Sequence, residues 1–215
     1  DVLMELGIKI DLPPERISEC LCETGIAFLF APLMHASMKY AIGPRRELGI
    51  RTFFNLLGPM TNPAGARRQL LGVYSGDLVE KVAGVLADLG SDRAFVVHGS
   101  DGLDEITTTG ETAVAEIFNG VIRKHTIIPE DFGLPRAAMS GLIGGGGPEN
   151  AAIFIDVISG KRGPRRDIVL LNSAFAICAG GGADSPAAGL RLAEESIDSG
   201  AAMEKYRKLK EFTSA

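Results

Sequence analysis

The chain has 215 residues, 46% of them apolar and 23% charged, which is the composition of a globular protein with one substantial core rather than of a disordered segment. Its 22 Lys and Arg against 27 Asp and Glu leave a net charge of −5, which speaks against a globally basic nucleic-acid surface, so an anionic ligand must be held by local cations or by a metal. The longest uncharged runs, residues 24–38 and 168–183, are interrupted by Gly, Pro or polar groups and fall short of the roughly 20 apolar residues that a membrane-spanning helix needs.

The first residues, Asp1-Val2-Leu3-Met4-Glu5-Leu6-Gly7, read as a helix already under way, with no initiating methionine and no export signal. A piece of a longer cytoplasmic protein is therefore expected. Cys20, Cys22 and Cys178 have neither disulfide-framework nor zinc-knuckle spacing and are expected to be buried, reduced thiols.

From Pro13 to Met38 apolar residues recur at helical spacing, with Gly25 and Pro32 as breaks, which predicts two short helices. Residues 35–63 follow, running through Arg45, Arg46 and Arg51 to the turn Gly58-Pro59-Met60-Thr61-Asn62-Pro63, which forbids helix continuation. Residues 69–74 (QLLGVY) read as a buried strand. Asp77 and Glu80 have capping-box spacing before a helix whose face carries Val79, Val82, Val85, Leu86 and Leu89, and which Gly90 ends. Residues 93–98 (RAFVVH) form a second strand, completing a βαβ unit whose ligands belong beyond the carboxyl ends of its strands.

That position is filled by Gly99-Ser100-Asp101-Gly102-Leu103-Asp104-Glu105. Beyond it, residues 112–118 and 121–127 alternate around Asn119-Gly120, the signature of a type I′ hairpin, so an antiparallel pair joins the parallel core. The last third is helical: residues 149–159 after a glycine run, 165–179 apolar almost all round and so expected to be buried, a helix opened by Ser185-Pro186, and a charged, exposed one over 201–212.

Asp101, Asp104 and Glu105 place three carboxylates within five residues at the end of a strand, oxygen ligands suited to Mg²⁺ bridging substrate phosphates, although a solvated acidic turn has the same pattern. Arg45 or Arg46 can fork onto a carboxylate or phosphate, or else favour a helix C-terminus. The glycine run GLIGGGGPEN, residues 141–150, lacks the Lys-Ser/Thr of a P-loop and the context of a dinucleotide fingerprint, and reads as a flexible connection. His35 lies in the arginine stretch and can face a ligand, whereas His98 and His125 read as structural or exposed. These features describe an α/β protein handling a phosphorylated small molecule, without naming the reaction.

Taken together and in order, His35-x-x-Met38, Arg45-Arg46-Glu47-Leu48-Gly49-Ile50-Arg51-Thr52, Phe54-Asn55-Leu56-Leu57-Gly58-Pro59, Asn62-Pro63, QLLGVY and VVHGSDGLDE closely resemble the anthranilate phosphoribosyltransferases of tryptophan biosynthesis. The resemblance runs from Asp1 to about Gly182. It implies an α/β fold of the nucleoside-phosphorylase type, a central mixed sheet flanked by helices, with about residues 38–60 contributing to a small helical subdomain whose N-terminal part is absent. It also implies transfer of phosphoribosyl from 5-phosphoribosyl 1-diphosphate (PRPP) to the anthranilate amine, with release of pyrophosphate and assistance from Mg²⁺, in a cytoplasmic homodimer.

By the same resemblance Arg45 contacts the anthranilate carboxylate, His35, Met38 and Pro59 lie along the anthranilate site or its entrance, and Asp104 and Glu105 serve the metal. No residue is implied as a general base. The sequence departs from the family at Ala36, where Pro is frequent. The family's glycine-rich diphosphate loop and its Lys-His-Gly-Asn motif would precede Asp1, so the 215 residues alone are expected to be inactive. A pyrimidine nucleoside phosphorylase and a silent, nucleic-acid-binding relative are the alternatives, and the net charge of −5 speaks against the second.

Overall fold

The computed structural model describes residues 1–34, 60 and 62–214. At its centre is a four-stranded mixed sheet in the order β1 (Arg68–Gly72), β2 (Arg93–Gly99), β3 (Thr112–Phe118) and β4 (Val121–Ile127). β1 and β2 run parallel, joined through helix α4 (Val79–Asp88), while β2–β3 and β3–β4 are antiparallel. The expected βαβ unit with an appended hairpin is thus present. Asn119 (φ 52°) and Gly120 (φ 76°) are both left-handed, as a type I′ turn requires.

Strand β2 shows why the apolar run RAFVV forms the middle of the sheet. Successive side chains point to opposite faces, and here both faces are covered. Ala94 and Val96 pack with Leu71, Val82, Ala83 and Leu86 beneath α4, whereas Phe95 and Val97 pack on the opposite face against Leu170, Leu171 and Phe175. Those last three belong to α6 (Pro164–Gly180), which follows α5 (Gly147–Ile158) and precedes α7 (Pro186–Asp198). The Phe95 and Phe175 rings meet edge to face at 5.1 Å, an arrangement favoured by their quadrupoles.

Helices α1 (Val2–Glu5), α2 (Pro14–Thr24), α5 and α8 (Ala201–Ser214) share a further cluster around Leu6, Ile8, Cys20, Ala151 and Leu209. A short α3 (Ala31–Met34) follows α2, and Pro32 lies within it rather than before it, a position in the first turn where a missing N–H costs nothing.

Three expectations are corrected. Asp77 does not cap α4: the chain enters through a 3-10 turn, Gly76–Leu78, no side chain caps the helix, and Glu80 instead reaches Lys124 across 2.7 Å. Helix α6 is not buried all round, because Leu170, Leu171, Ala174, Phe175 and Cys178 line a single buried face while Val169 is 40% exposed on the other. Cys22 is exposed, although Cys20 and Cys178 are buried and all three thiols are free. Ser185 does open α7 as expected, its hydroxyl accepting from the Ala188 N–H at 3.3 Å. Among the described residues no helix is long and apolar enough to cross a membrane.

Candidate metal and phosphate site

The acidic loop leaves β2 at Gly99 and turns across the carboxyl end of β1. Gly72, the last residue of β1, makes this crossing possible: a Cβ there would lie 1.5 Å from the Asp104 carbonyl oxygen, an overlap that excludes every other residue without displacement of the loop. The backbone closes on itself through Gly99 N–H to Leu103 O (2.9 Å) and Gly102 N–H to Gly99 O (2.9 Å), and Ser100 N–H donates to Glu111 O at 2.8 Å.

The three carboxylates of the sequence pattern separate into two roles. Asp101 turns inward and accepts from the Thr107 and Thr109 hydroxyls, each at 2.5 Å, and from the Leu103 N–H at 3.1 Å. Partial burial opposes its charge, but these three donors outweigh it and hold the carboxyl below its ordinary range. Both of its oxygens are thereby engaged in organising the loop.

Asp104 and Glu105 stay at the surface. Although the Glu105 side chain reaches solvent, it stands between two concavities whose walls displace much of the surrounding water. That desolvation, with the neighbouring Asp104 charge, raises its carboxyl above the usual value. The smaller concavity, about 370 Å³, is lined by Leu70, Gly72, Asp104, Glu105, Ile168 and Asn172; the larger, about 720 Å³, is mostly apolar and reaches Met139, Leu142 and Phe154.

Immediately after Glu105, Ile106 is fully buried and its backbone is held from α6: the Asn172 side-chain oxygen accepts from Ile106 N–H at 3.0 Å, and the Asn172 amide donates to Ile106 O at 2.8 Å. Gly72, Thr107, Thr109 and Asn172 were not among the residues expected from sequence. Each carried a signal: a glycine inside an apolar strand, a run of threonines after an acidic turn, and an amide inside an apolar helix.

Asp104 and Glu105 form a donor set that fits a hard divalent cation. Two adjacent carboxylates provide oxygen ligands and leave the remaining positions to water and substrate oxygens. Among the described residues no cluster of three metal-ligating side chains occurs.

The glycine-rich stretch behaves differently from the expected flexible connection. Asn150, in the first turn of α5, accepts from Gly145 N–H at 2.9 Å and donates to Gly145 O at 2.8 Å, folding the loop back onto its own helix. His98 is structural, its Nδ1 lying 2.8 Å from the Val73 carbonyl oxygen, and His125 is exposed on β4. His35, Met38, Arg45 and Pro59, together with Arg46 and Arg51, lie outside the described residues, as do residues 38–59, most of the segment expected to join the small helical subdomain.

The model of the glycosyl transferase family, a/b domain, matches residues 1–203. An anthranilate phosphoribosyltransferase from Moorella thermoacetica is 60% identical over 207 residues, covering 96% of this chain and 61% of that protein, so the chain spans about three fifths of the relative's length. The crystal structure of anthranilate phosphoribosyltransferase from Thermus thermophilus superposes with a TM-score of 0.92 at 40% identity, over 100% of this chain and 64% of that one. The Saccharomyces cerevisiae enzyme is 31% identical and gives a TM-score of 0.90 in complex with PRPP and Mg, over 99% of this chain and 62% of its own. In complex with 4-fluoroanthranilate it gives 0.91, over 100% and 62%.

Proposed function

This chain belongs to the glycosyl transferase family of the a/b domain, and on that premise we propose that it is the α/β portion of an anthranilate phosphoribosyltransferase, transferring phosphoribosyl from PRPP to the anthranilate amine. The observation that carries the reading is the Asp104–Glu105 pair, exposed beyond the ends of the parallel strands and without a hydrogen bond or ion pair to the described residues, while Asp101 is engaged in holding the loop. The activity is assigned to a polypeptide of the relatives' length carrying this chain, working in the cytoplasm as a homodimer.

Asp104 and Glu105 hold Mg²⁺ on the diphosphate side. When bound, that ion neutralises charge building on the departing diphosphate. The carboxylates would set where the diphosphate lies only through that ion, since their own charge repels it. By the family resemblance Arg45 contacts the anthranilate carboxylate, and His35, Met38 and Pro59 belong along the anthranilate site or its entrance. The amine is thereby presented to the ribose C1. Its attack depends on orientation rather than on a strong base, so no general base is assigned.

Product analysis separates this reading from the nucleoside phosphorylase alternative. A full-length polypeptide carrying this chain is expected to form N-(5-phosphoribosyl)anthranilate from anthranilate, PRPP and Mg²⁺, and to leave pyrimidine nucleosides with inorganic phosphate unchanged. Phosphorolysis without anthranilate turnover would reverse the assignment.

A further inference from the structure

Asn172 lies on α6, distant in sequence from the acidic loop, yet its amide is bound to the residue that follows Glu105. Its oxygen accepts from Ile106 N–H at 3.0 Å, and its nitrogen donates both to Ile106 O at 2.8 Å and to Ile168 O at 2.9 Å. The pair on Ile106 imitates the exchange of one N–H and one C=O between opposed residues of antiparallel strands. The third bond ties the amide to its own helix, so the side chain has one defined orientation and most of its hydrogen-bonding capacity is used.

The location of these bonds matters. The Ile106 N–H belongs to the peptide plane shared with Glu105, and the Ile106 C=O belongs to the next plane, so both planes flanking Ile106 are held from the helix. At Asp104 the Gly72 position lies so close to the carbonyl oxygen, 1.5 Å from where a Cβ would stand, that the loop cannot settle further toward the strand. The Ile106 side chain is fully buried, which removes a third freedom. Asp104 and Glu105 are consequently carried on backbone fixed from the strand side and from the helix side, while their own side chains remain at the surface.

We infer that Asn172 is a positioning residue for the Asp104–Glu105 carboxylates, setting through the Ile106 backbone the geometry in which the pair receives a divalent cation. The inference rests on the metal reading of that pair. A metal site loses affinity when its supporting groups allow its ligands to drift by a fraction of an ångström, which is why outer partners count almost as much as ligands. Asn172 makes its contribution through backbone rather than through a ligand atom.

The test uses a polypeptide of the relatives' length carrying this chain, labelled with ²H and ¹⁵N and titrated with Mn²⁺ in the presence of inorganic pyrophosphate, the unpaired electrons of the metal broadening nearby amide signals even at weak occupancy. Two variants are compared: Asn172→Leu, which keeps the side chain's shape and loses both hydrogen-bonding functions, and Asn172→Ala. Amide hydrogen exchange at Ile106 is measured in parallel. In the parent, Mn²⁺ is expected to broaden the signals of residues 103–107, and Ile106 is expected to exchange slowly. In both variants exchange at Ile106 should rise about tenfold or more, as the loss of one net hydrogen bond implies, and the Mn²⁺ concentration for half-broadening should rise about three- to tenfold.

A residue of merely structural importance would speed exchange and lower the melting temperature while leaving the Mn²⁺ midpoint where it was, and that result overturns the positioning role alone. Parent protein in which Ile106 exchanges as fast as an exposed loop amide overturns it without any variant. Absence of Mn²⁺ broadening around Asp104 and Glu105 in the parent overturns the metal reading, and the inference with it.

Discussion

Two polar, glycine-containing loops of this protein invite the same reading, as places where a phosphate or its metal would sit, and they are built in opposite ways. Between β2 and β3 the backbone is held by Asp101, by the Gly99–Leu103 closure and by Asn172, and two exposed carboxylates have no hydrogen-bond partner among the described residues. Before α5 the glycine-rich turn is tied to its own helix by Asn150, so that the Gly145 N–H a phosphate would need is already engaged. A loop becomes a binding site through the groups that remain free once its own fold is satisfied, and residue type alone does not reveal which those are.

Substitutions at the supports of each loop should therefore have different consequences. The largest is expected at Gly72. Gly72→Ala places a methyl group where the Asp104 carbonyl now lies, and because backbone cannot move aside as a flexible side chain can, the cost should be about 3 kcal/mol together with loss of the divalent-metal response. Chemical denaturation and a metal titration check it; a stable variant with an unchanged metal response would show that the crossing does not position the pair.

Asp101→Ala comes next. It deprives the Thr107 and Thr109 hydroxyls and the Leu103 N–H of a charged acceptor, at about 2 kcal/mol near neutral pH. The sign of the pH dependence follows from its lowered carboxyl: the contribution is fully present above the unfolded value of about 3.9 and disappears as pH falls through the lower folded value. Parent and variant should therefore converge in stability only in strong acid. A difference that stays constant to the acid limit would mean that the bonds do not depend on the carboxylate charge.

Asn150→Ala should have the smallest effect, about 1 kcal/mol from a partly exposed loop, with the metal response unchanged. A large fall in metal response there would break the contrast between the two loops.

The sheet was largely legible in sequence because its signals are local. Period-two runs, the Asn119-Gly120 turn and the apolar β2 all report on neighbouring residues, and the parallel and antiparallel pairings follow from the connections between them. The pattern also placed the acidic loop at the carboxyl end of β2. It could not divide the labour among Asp101, Asp104 and Glu105, because that division depends on which way each side chain turns. Nor could it assign Asn172 to Ile106, a contact between residues 66 positions apart. The same limit explains α6: its composition is apolar all round, but only the geometry of the sheet decides which side is covered. Arg45, His35, Met38 and Pro59 rest on the resemblance to the family, since they lie outside the described residues.

Everything proposed for the site turns on Asp104 and Glu105 being the metal-holding half of a phosphoribosyl transfer centre. The most direct test is the Mg²⁺ dependence of anthranilate turnover in a full-length polypeptide carrying this chain, compared with the double variant Asp104→Asn, Glu105→Gln, which preserves size and removes both charges. The expected result is at least about a hundredfold loss of turnover at low Mg²⁺, partly recovered as Mg²⁺ is raised. Equal turnover with an identical Mg²⁺ midpoint in the two proteins would contradict it.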